Sequence, residues 1–440
     1  MLAVQYQLEQ SQWWSAEQLQ EQQFRQLHAL LTHACKTVPF YRECLFAAGF
    51  NPGNTVTPEL FRNLPILHRK DVQTAGNMLL STQLPPDHGK IYSGKTSGST
   101  GRPIQYSGTE LSQFWWRTMT LREHLWHQRD FAGKLAIIRV NVKHGQHENW
   151  GSPVATVFET GPSVALDIAT DLDTQIAWLQ EQNPDYLLSY PSNILALANI
   201  CISKGIRLEN LREIRTISEA HNPELRAACR EAWGVPVIDI YSTNEVGYIA
   251  FQCPGHEHYH IQSETIFVEV LNAQGVPCQP GEIGRVVLTP LHNYAMPLIR
   301  YEIMDYAEAR EACPCGRGLP VIRQVLGRQR NLITLPDGSQ HWPRTGYSTW
   351  IEIAPIEQIQ LVQKSLHQIE VRLVMPRPLT PDEQNRMIPT LQKSLGYAFQ
   401  VSFSYHDEIC RSASGKFEDF ISEVDTSAGM PPGETSHNTP

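Results

Sequence analysis

The sequence predicts an α/β protein: a large N-terminal domain of covered α/β sheets with a small barrel or antiparallel sheet attached, followed by a small α+β domain. Three observations carry this reading. Between Gly108 and Ile217, helical segments alternate with short apolar runs, the pattern of strands buried on both faces. From Ile266 the texture changes to short strands punctuated by turns such as Pro280-Gly281-Glu282. Beyond Ile359 the order is β-β-α-β, an open sheet with a helix on one face. A chain of 440 residues is long enough for two or more such units.

Taken in order, Trp13 to Phe50 reads as amphipathic helices with Leu27, Leu30, Leu31, Ala34 and Val38 on one face. Thr57 is an N-cap with Pro58 in the first turn after it. Leu111–Trp126, Leu172–Gln182 and Ile194–Lys204 read as helices, and 135–140, 186–190 and 214–217 as strands. Lys143 to Gly151 fits no regular element. Its His144 and His147 lack a carboxylate or thiol partner at a metal-binding spacing, so they read as solvated loop residues, with a substrate-facing loop as the alternative.

The densest chemistry lies in Thr96-Ser97-Gly98-Ser99-Thr100-Gly101, between brief strands at Ile91-Tyr92 and Ile104-Tyr106. Glycines let backbone N–H groups approach a polyanion, and the hydroxyls donate further hydrogen bonds, so this is a phosphate-holding loop suited to ATP. Gly89 to Thr96 also satisfies the P-loop pattern, which would make Lys95 a phosphate ligand of a phosphotransferase. Its context opposes that: a Pro-Pro turn precedes it and a helix-breaking run follows.

Further along, a strand at 236–240 containing Asp239 runs into Tyr241-Ser242-Thr243-Asn244-Glu245-Val246-Gly247. The C-terminal end of a sheet strand is where α/β proteins bind ligands. Tyr241 suits stacking on a flat base and Glu245 suits Mg²⁺, although a plain polar βα turn would look similar. Asp305, a few residues after the run Leu298-Ile299-Arg300-Tyr301, is either a turn cap or a bidentate acceptor for ribose hydroxyls.

Composition narrows the partners. The net charge is −9 and there is no basic run, which disfavours nucleic acid and anionic membrane surfaces and favours small molecules. No stretch approaches eighteen apolar residues, and the N-terminus lacks a secretory pattern, so the expected location is the cytoplasm. The nine cysteines are an odd number, which fits a reducing compartment. Cys35, Cys44, Cys201, Cys229, Cys278 and Cys410 read as core thiols. Cys253, Cys313 and Cys315 stand apart. Cys313-Pro314-Cys315-Gly316 sets two thiols on one turn, and Cys253 opens a His-rich segment holding His258 and His260. A third thiol and an imidazole would close a tetrahedral zinc site, while two unrelated cysteine turns would look the same.

In this order the motifs resemble the adenylate-forming superfamily, and more narrowly the phenylacetate-CoA ligase family with its capsule-biosynthesis-like and deazaflavin-adenylating relatives. The resemblance runs from about residue 20 to residue 425. It implies an adenylation domain over 1–327, a mobile lid domain over 328–425 and a disordered tail over 426–440. By the same resemblance Thr96 to Gly101 grip ATP phosphates, and Ser218, Glu219 and Ala220 line the adenine site. Asp239, Tyr241, Ser242 and Thr243 join the nucleotide site, Glu245 holds Mg²⁺, Asp305 takes the ribose, and Arg328 is the hinge-side arginine. Lys416, in Ser414-Gly415-Lys416, is implied as the catalytic lysine that swings over the active site, and a structural zinc on Cys253, Cys313, Cys315 and His260 is implied, with His258 in reserve. Gln329-Arg330-Asn331 depart from the family, which often carries an acidic hinge residue here.

The expected activity is ATP-dependent activation of a carboxylic acid as its acyl-adenylate, with pyrophosphate release and transfer to CoA. A carrier-protein thiol, an amine, or the adenylate as end product remain open as outcomes, as does a homodimer. A catalytically silent scaffold is the competing class, and Lys416 argues against it.

Overall fold

The computed structural model describes residues 1–96, 103–221, 224–343, 349–350, 352–412 and 415–424. Ser97, Gly98, Ser99, Thr100 and Gly101 of the phosphate loop, and the tail from Asp425, lie outside the described residues. The chain divides into two compact units, Met1–Val325 and Leu326–Pro440.

The first unit opens with helices α1 (Leu2–Ser11), α2 (Ala16–Thr37), α3 (Pro39–Ala47), α4 (Pro58–Asn63) and α5 (Arg69–Ala75). Their starts follow from local chemistry. Ser15 and Gln18 form a capping box on α2, and the Thr57 hydroxyl accepts from Leu60 N–H at α4, with Pro58 in the first turn. The hairpin β1 (Ile91–Lys95) and β2 (Gln105–Thr109) pairs antiparallel on either side of the segment expected to hold phosphates. Lys95 therefore ends a strand instead of opening a helix, and the P-loop reading fails on geometry.

Next come α6 (Glu110–Trp126), β3 (Leu135–Arg139), β4 (Gly145–His147), α7 (Ser152–Ala155), β5 (Ser163–Asp167), α8 (Leu172–Gln182), β6 (Tyr186–Ser189), α9 (Pro191–Lys204), β7 (Glu213–Ile217) and α10 (Leu225–Trp233). They are followed by β8 (Val237–Thr243), β9 (Gly247–Gln252), β10 (Tyr259–Ile261), β11 (Ile266–Leu271), β12 (Ile283–Pro290), β13 (Tyr301–Arg310) and β14 (Val321–Arg328). All these strands from β3 onward join one twelve-stranded sheet, in the order β11-β12-β13-β14-β10-β9-β8-β7-β6-β3-β5-β4. Strands β5, β3, β6, β7 and β8 are parallel, and β6 and β7 are buried along their whole length, as their unbroken apolar runs require. The short strands of the antiparallel arm are hydrogen-bonded into this same sheet, not set apart from it.

One face of the parallel strands packs under α6, with Leu135, Leu188, Ile217 and Ile240 meeting Met119, Leu121 and Trp126. Beneath it lies a buried ion cluster. Glu123 receives Arg129 at 2.6 Å and Arg215 at 2.5 Å, and Arg129 also reaches Glu213 at 2.6 Å, so each buried charge is paired.

Four expectations need correction. Part of the 143–151 segment is the edge strand β4, paired antiparallel to β5; His147 Nε2 lies 3.0 Å from the Lys143 carbonyl and His144 is exposed. Asp305 lies mid-strand in β13, not in a turn, because the strand begins only at Tyr301. The polar motif after Ile240 is no βα turn: Tyr241 to Thr243 extend β8, and residues 244–246 turn back into antiparallel β9. Cys410 is exposed, and Cys44 and Cys278 are half-buried, so they are not core thiols.

In the second unit β15 (Ile333–Thr334) pairs with β16 (Gln340–His341). A four-stranded sheet runs in the order β19-β18-β17-β20, from β17 (Gln358–Ser365), β18 (Gln368–Val374), β19 (Gln400–Tyr405) and β20 (Phe420–Ser422). Helix α11 (Pro381–Leu395), started by a Thr380/Glu383 capping box, packs Met387, Leu391 and Leu395 into the core with Leu361, Val371 and Leu373 of this sheet.

Candidate active site and metal centre

The C-terminal ends of the parallel strands form a crest, and several predicted nucleotide residues lie along it. At the end of β8 the Tyr241 hydroxyl donates to Asp305 Oδ2 at 2.9 Å, joining residues 64 apart in sequence. Ser242 and Thr243 continue the strand. Thr243 Oγ1 is buried without a hydrogen-bond partner among the described residues. Glu245 sits half-buried in the β8–β9 turn. Burial raises the Tyr106 phenol on β2, and the Glu245 charge raises it further, so turn and hairpin face each other.

Ser218 leaves β7 with φ 74°, a sparsely populated conformation for a non-glycine residue. Glu219 Oε2 accepts from Ser192 N–H at 2.9 Å, one of the free donors in the first turn of α9, which fixes the 218–220 loop beside the β6–α9 junction. Ala220 is exposed there.

Asp239 is different. It is buried, Oδ1 accepts from the Thr216 hydroxyl at 2.7 Å, and Oδ2 accepts from Tyr259 at 2.7 Å. His221 Nε2 lies 2.7 Å from that Thr216 hydroxyl. Burial alone would raise this carboxyl, but the His221 charge and the hydrogen bonds of His221, Thr216 and Tyr259 outweigh it and hold the carboxyl below its usual range. Each oxygen thus has a protein donor, and Asp239 ties β7 and β10 to β8 beneath the crest.

Thr96 closes the neck of the phosphate loop: its N–H donates to the Ile104 carbonyl and its Oγ1 accepts from Ile104 N–H, each at 2.9 Å. The Arg69 guanidinium donates to Thr96 Oγ1 at 3.4 Å, and Leu67, just before α5, bridges to Tyr301 at the start of the Asp305 strand. The sequence reading passed over Arg69, Thr216, His221 and Tyr259. None belongs to a local motif, and only the fold brings them to this place.

Arg328 and Lys416 lie in the second unit. Arg328 N–H donates to Asn331 Oδ1 at 3.3 Å. In the departing hinge segment, Arg330 pairs with Glu418, and Asn331 Nδ2 donates to the Phe420 carbonyl at 2.7 Å. Lys416 is half-buried in a tight turn: Ser412 N–H donates to its carbonyl at 2.9 Å, and Gly415, at φ 77°, supplies the left-handed step before it.

The thiol knuckle assembles fully. The ligand atoms of Cys253, His260, Cys313 and Cys315 all lie within 4.8 Å of one another, and no second group of this kind occurs among the described residues. A tetrahedral ion with Zn–S of about 2.3 Å and Zn–N of about 2.0 Å has S···S edges of about 3.8 Å and S···N edges of about 3.5 Å. Cys253 and Cys313 Sγ are 3.8 Å apart, and Cys315 Sγ is 3.4 Å from His260 Nε2. His260 Nδ1 lies 3.4 Å from the Leu319 carbonyl, which orients the ring with Nε2 toward the thiols. Burial lowers His260 to about 4, leaving the neutral imidazole a ligand must be, and burial pushes the metal-free Cys313 thiol up to about 12. The His258 ring instead stacks on His256. The donor set fits zinc and leaves no open position.

Comparison with known proteins gives a consistent picture. Residues 347–423 match the CapK C-terminal domain. The phenylacetate-coenzyme A ligase of Pseudomonas putida is 23% identical over 329 residues, 73% of either chain. That of Thermus thermophilus is 24% identical over 339 residues, 72% of either chain. Among solved structures, 2-hydroxyisobutyryl-CoA ligase in the postadenylation state with 2-HIB-AMP aligns with a TM-score of 0.72 at 18% identity, over 91% of this chain and 89% of that one. Among the described residues no helix is long and apolar enough to cross a membrane. The chain is a relative of the phenylacetate-coenzyme A ligases, with the fold of the adenylate-forming ligases and a CapK C-terminal domain.

Proposed function

We propose that this protein is an AMP-forming acid–thiol ligase. A carboxylate oxygen of the acid attacks the α-phosphorus of ATP, the bond to the bridging oxygen breaks, and pyrophosphate leaves. A CoA thiolate then attacks the acyl carbon and AMP departs. Splitting one hard acyl transfer in this way avoids expelling oxide from a carboxylate. The observation that carries the reading is the 2.9 Å hydrogen bond from Tyr241 to Asp305, which unites the aromatic motif with the ribose carboxylate at the sheet crest.

In this reading Asp305 Oδ1 accepts from ribose hydroxyls while Tyr241 holds the other oxygen. Thr96 to Gly101 and Arg69 face the phosphates, Thr243 Oγ1 gains the partner it lacks, and Ser218 to Ala220 line the base. Glu245 would hold Mg²⁺, which would supply charge neutralisation for the departing pyrophosphate. We assign nucleotide and acid binding to residues 1–327 and the lid bearing Arg328 and Lys416 to 328–425. The Lys416 ammonium stabilises charge that develops on the α-phosphate oxygens. Zinc at Cys253, His260, Cys313 and Cys315 is structural, because four protein ligands exclude water and substrate. None of the nine cysteines is in a disulfide, which suits a cytoplasmic setting. A panel of carboxylic acids assayed for ATP-dependent pyrophosphate release tests the proposal: at least one acid should give pyrophosphate and, with CoA, a thioester. Hydrolysis of ATP without an acid-dependent product refutes it.

A further inference from the structure

The C-terminal end of β3 carries a cation that has no ion pair among the described residues. Arg139 is the last residue of β3, on the same face as Leu135 and Ile137, the face packed under α6. Its guanidinium makes no ion pair or hydrogen bond among the described residues, and its Nε is buried without a partner. The obvious mate, Asp167, stands opposite it on β5, but Asp167 Oδ1 instead accepts from Ala169 N–H at 2.9 Å. The deeper charges of this face cancel, since Glu123 and Glu213 are matched by Arg129 and Arg215. Arg139 is therefore a cation without an ion pair among the described residues, its Nε shielded from water, at the crest where ligands bind.

The walls near it are apolar and aromatic. Tyr248 bonds Thr120 of α6 at 3.0 Å, and its ring lies 4.8 Å from that of Trp116. Burial raises the Tyr248 phenol, and Tyr248 packs in the same cluster under α6 as Leu135 and Ile137 of the strand that ends in Arg139. Tyr241 is on β8, and β7 and β6 separate that strand from β3, so Arg139 ends a strand that is not adjacent to the one carrying the nucleotide motif.

We infer that Arg139 recognises a second anionic group on the acid, so that the substrate is a dianion whose second carboxylate or sulfonate lies several bonds from the reacting carboxylate. The inference rests on the ligase reading for the identity of the pocket. A partly buried guanidinium that finds a carboxylate makes charge-assisted, often bidentate hydrogen bonds, and an acid lacking that group leaves the cation unpaired.

The test is calorimetric titration of the full chain, in the presence of AMP, with matched acids: adipate against hexanoate, and 4-carboxyphenylacetate against 4-methylphenylacetate. The dianion of at least one pair should bind about 10- to 100-fold more tightly. Arg139→Met should erase that preference, and Arg139→Lys should retain part of it, with AMP affinity and melting temperature unchanged in both. Dianions that bind no better than their partners, absence of binding included, overturn the inference, as does a preference that survives in Arg139→Met. Pyrophosphate release separates this from the ligase reading. Release with monoanions alone sinks the inference and leaves the ligase, whereas Arg139-dependent binding of dianions without release with any bound acid sinks the ligase.

Discussion

Replacing Tyr241 with Phe removes one hydroxyl and tests whether the crest is a nucleotide site. That hydroxyl donates to Asp305 Oδ2 at 2.9 Å from a residue only 8% exposed. A hydrogen bond to a charged acceptor contributes about 1.5–3 kcal/mol, which corresponds to a factor of about 10 to about 150 in an equilibrium constant. Asp305 is half-buried, so water takes over part of the lost bond and the lower end applies. Titration with a non-hydrolysable ATP analogue and Mg²⁺ should show a Kd weakened about 10-fold, with the melting temperature changed by no more than about 2 °C. Asp305→Asn should weaken the same titration, and the double variant should lose less than the sum of the two, because the residues act on one another. Unchanged affinity in folded Tyr241→Phe would remove the nucleotide from this crest. Fully additive losses would show that the two side chains do not cooperate.

Three further outcomes follow from the same structure. Lys416→Ala should slow adenylate formation while leaving ATP affinity and melting temperature nearly unchanged, since its role is confined to the transition state; an unaltered adenylation rate in pre-steady-state assays would end that assignment. Purified protein should carry about one zinc per chain by elemental analysis, and Cys313→Ser should lose it along with stability around residues 310–319, whereas full metal retention would contradict the site. The third concerns acid sensitivity. His292 stacks on Trp115 at 4.2 Å and burial lowers it to about 4. Its folded value is below the unfolded value of about 6.5, so between these the unfolded chain binds a proton that the folded chain refuses, and stability falls as pH drops through the window. At pH 5 the loss is up to about 2 kcal/mol, and His292→Gln should flatten the urea midpoint between pH 7 and 5 by that amount; an unchanged slope would exclude His292 as the source.

Local signals made much of the fold legible. Helix α8 and helix α11 begin and end where their caps say, with Asp171 accepting from Thr174 N–H and Thr380 from Glu383 N–H. Strand β5 escaped because Ser163-Val164-Ala165-Leu166-Asp167 is short and carries a polar residue at each end. Strand β13 was misplaced because Glu302, Asp305 and Glu308 interrupt its apolar pattern, their charges being absorbed by partners such as Arg323, 2.8 Å from Glu308. The site shows the same division. The hydroxyl-rich loop, the 241–247 motif and the thiol turn are each written in consecutive residues. What pairs them is tertiary: Tyr241 finds Asp305, His260 finds Cys315, and Arg69 and Arg139 acquire meaning only from where α5 and β3 end. Asp239 is likewise joined to Thr216 and Tyr259 only by the fold.

The central claim is that an acid attacks the α-phosphorus of ATP, and the products of one incubation decide it. ATP labelled at the α-phosphorus, Mg²⁺, CoA and an acid drawn from the dianion panel should yield labelled AMP, unlabelled pyrophosphate and an acyl-CoA in equal amounts. Labelled ADP with a phosphorylated acid, or label that stays in ATP while the acid disappears, would contradict the account.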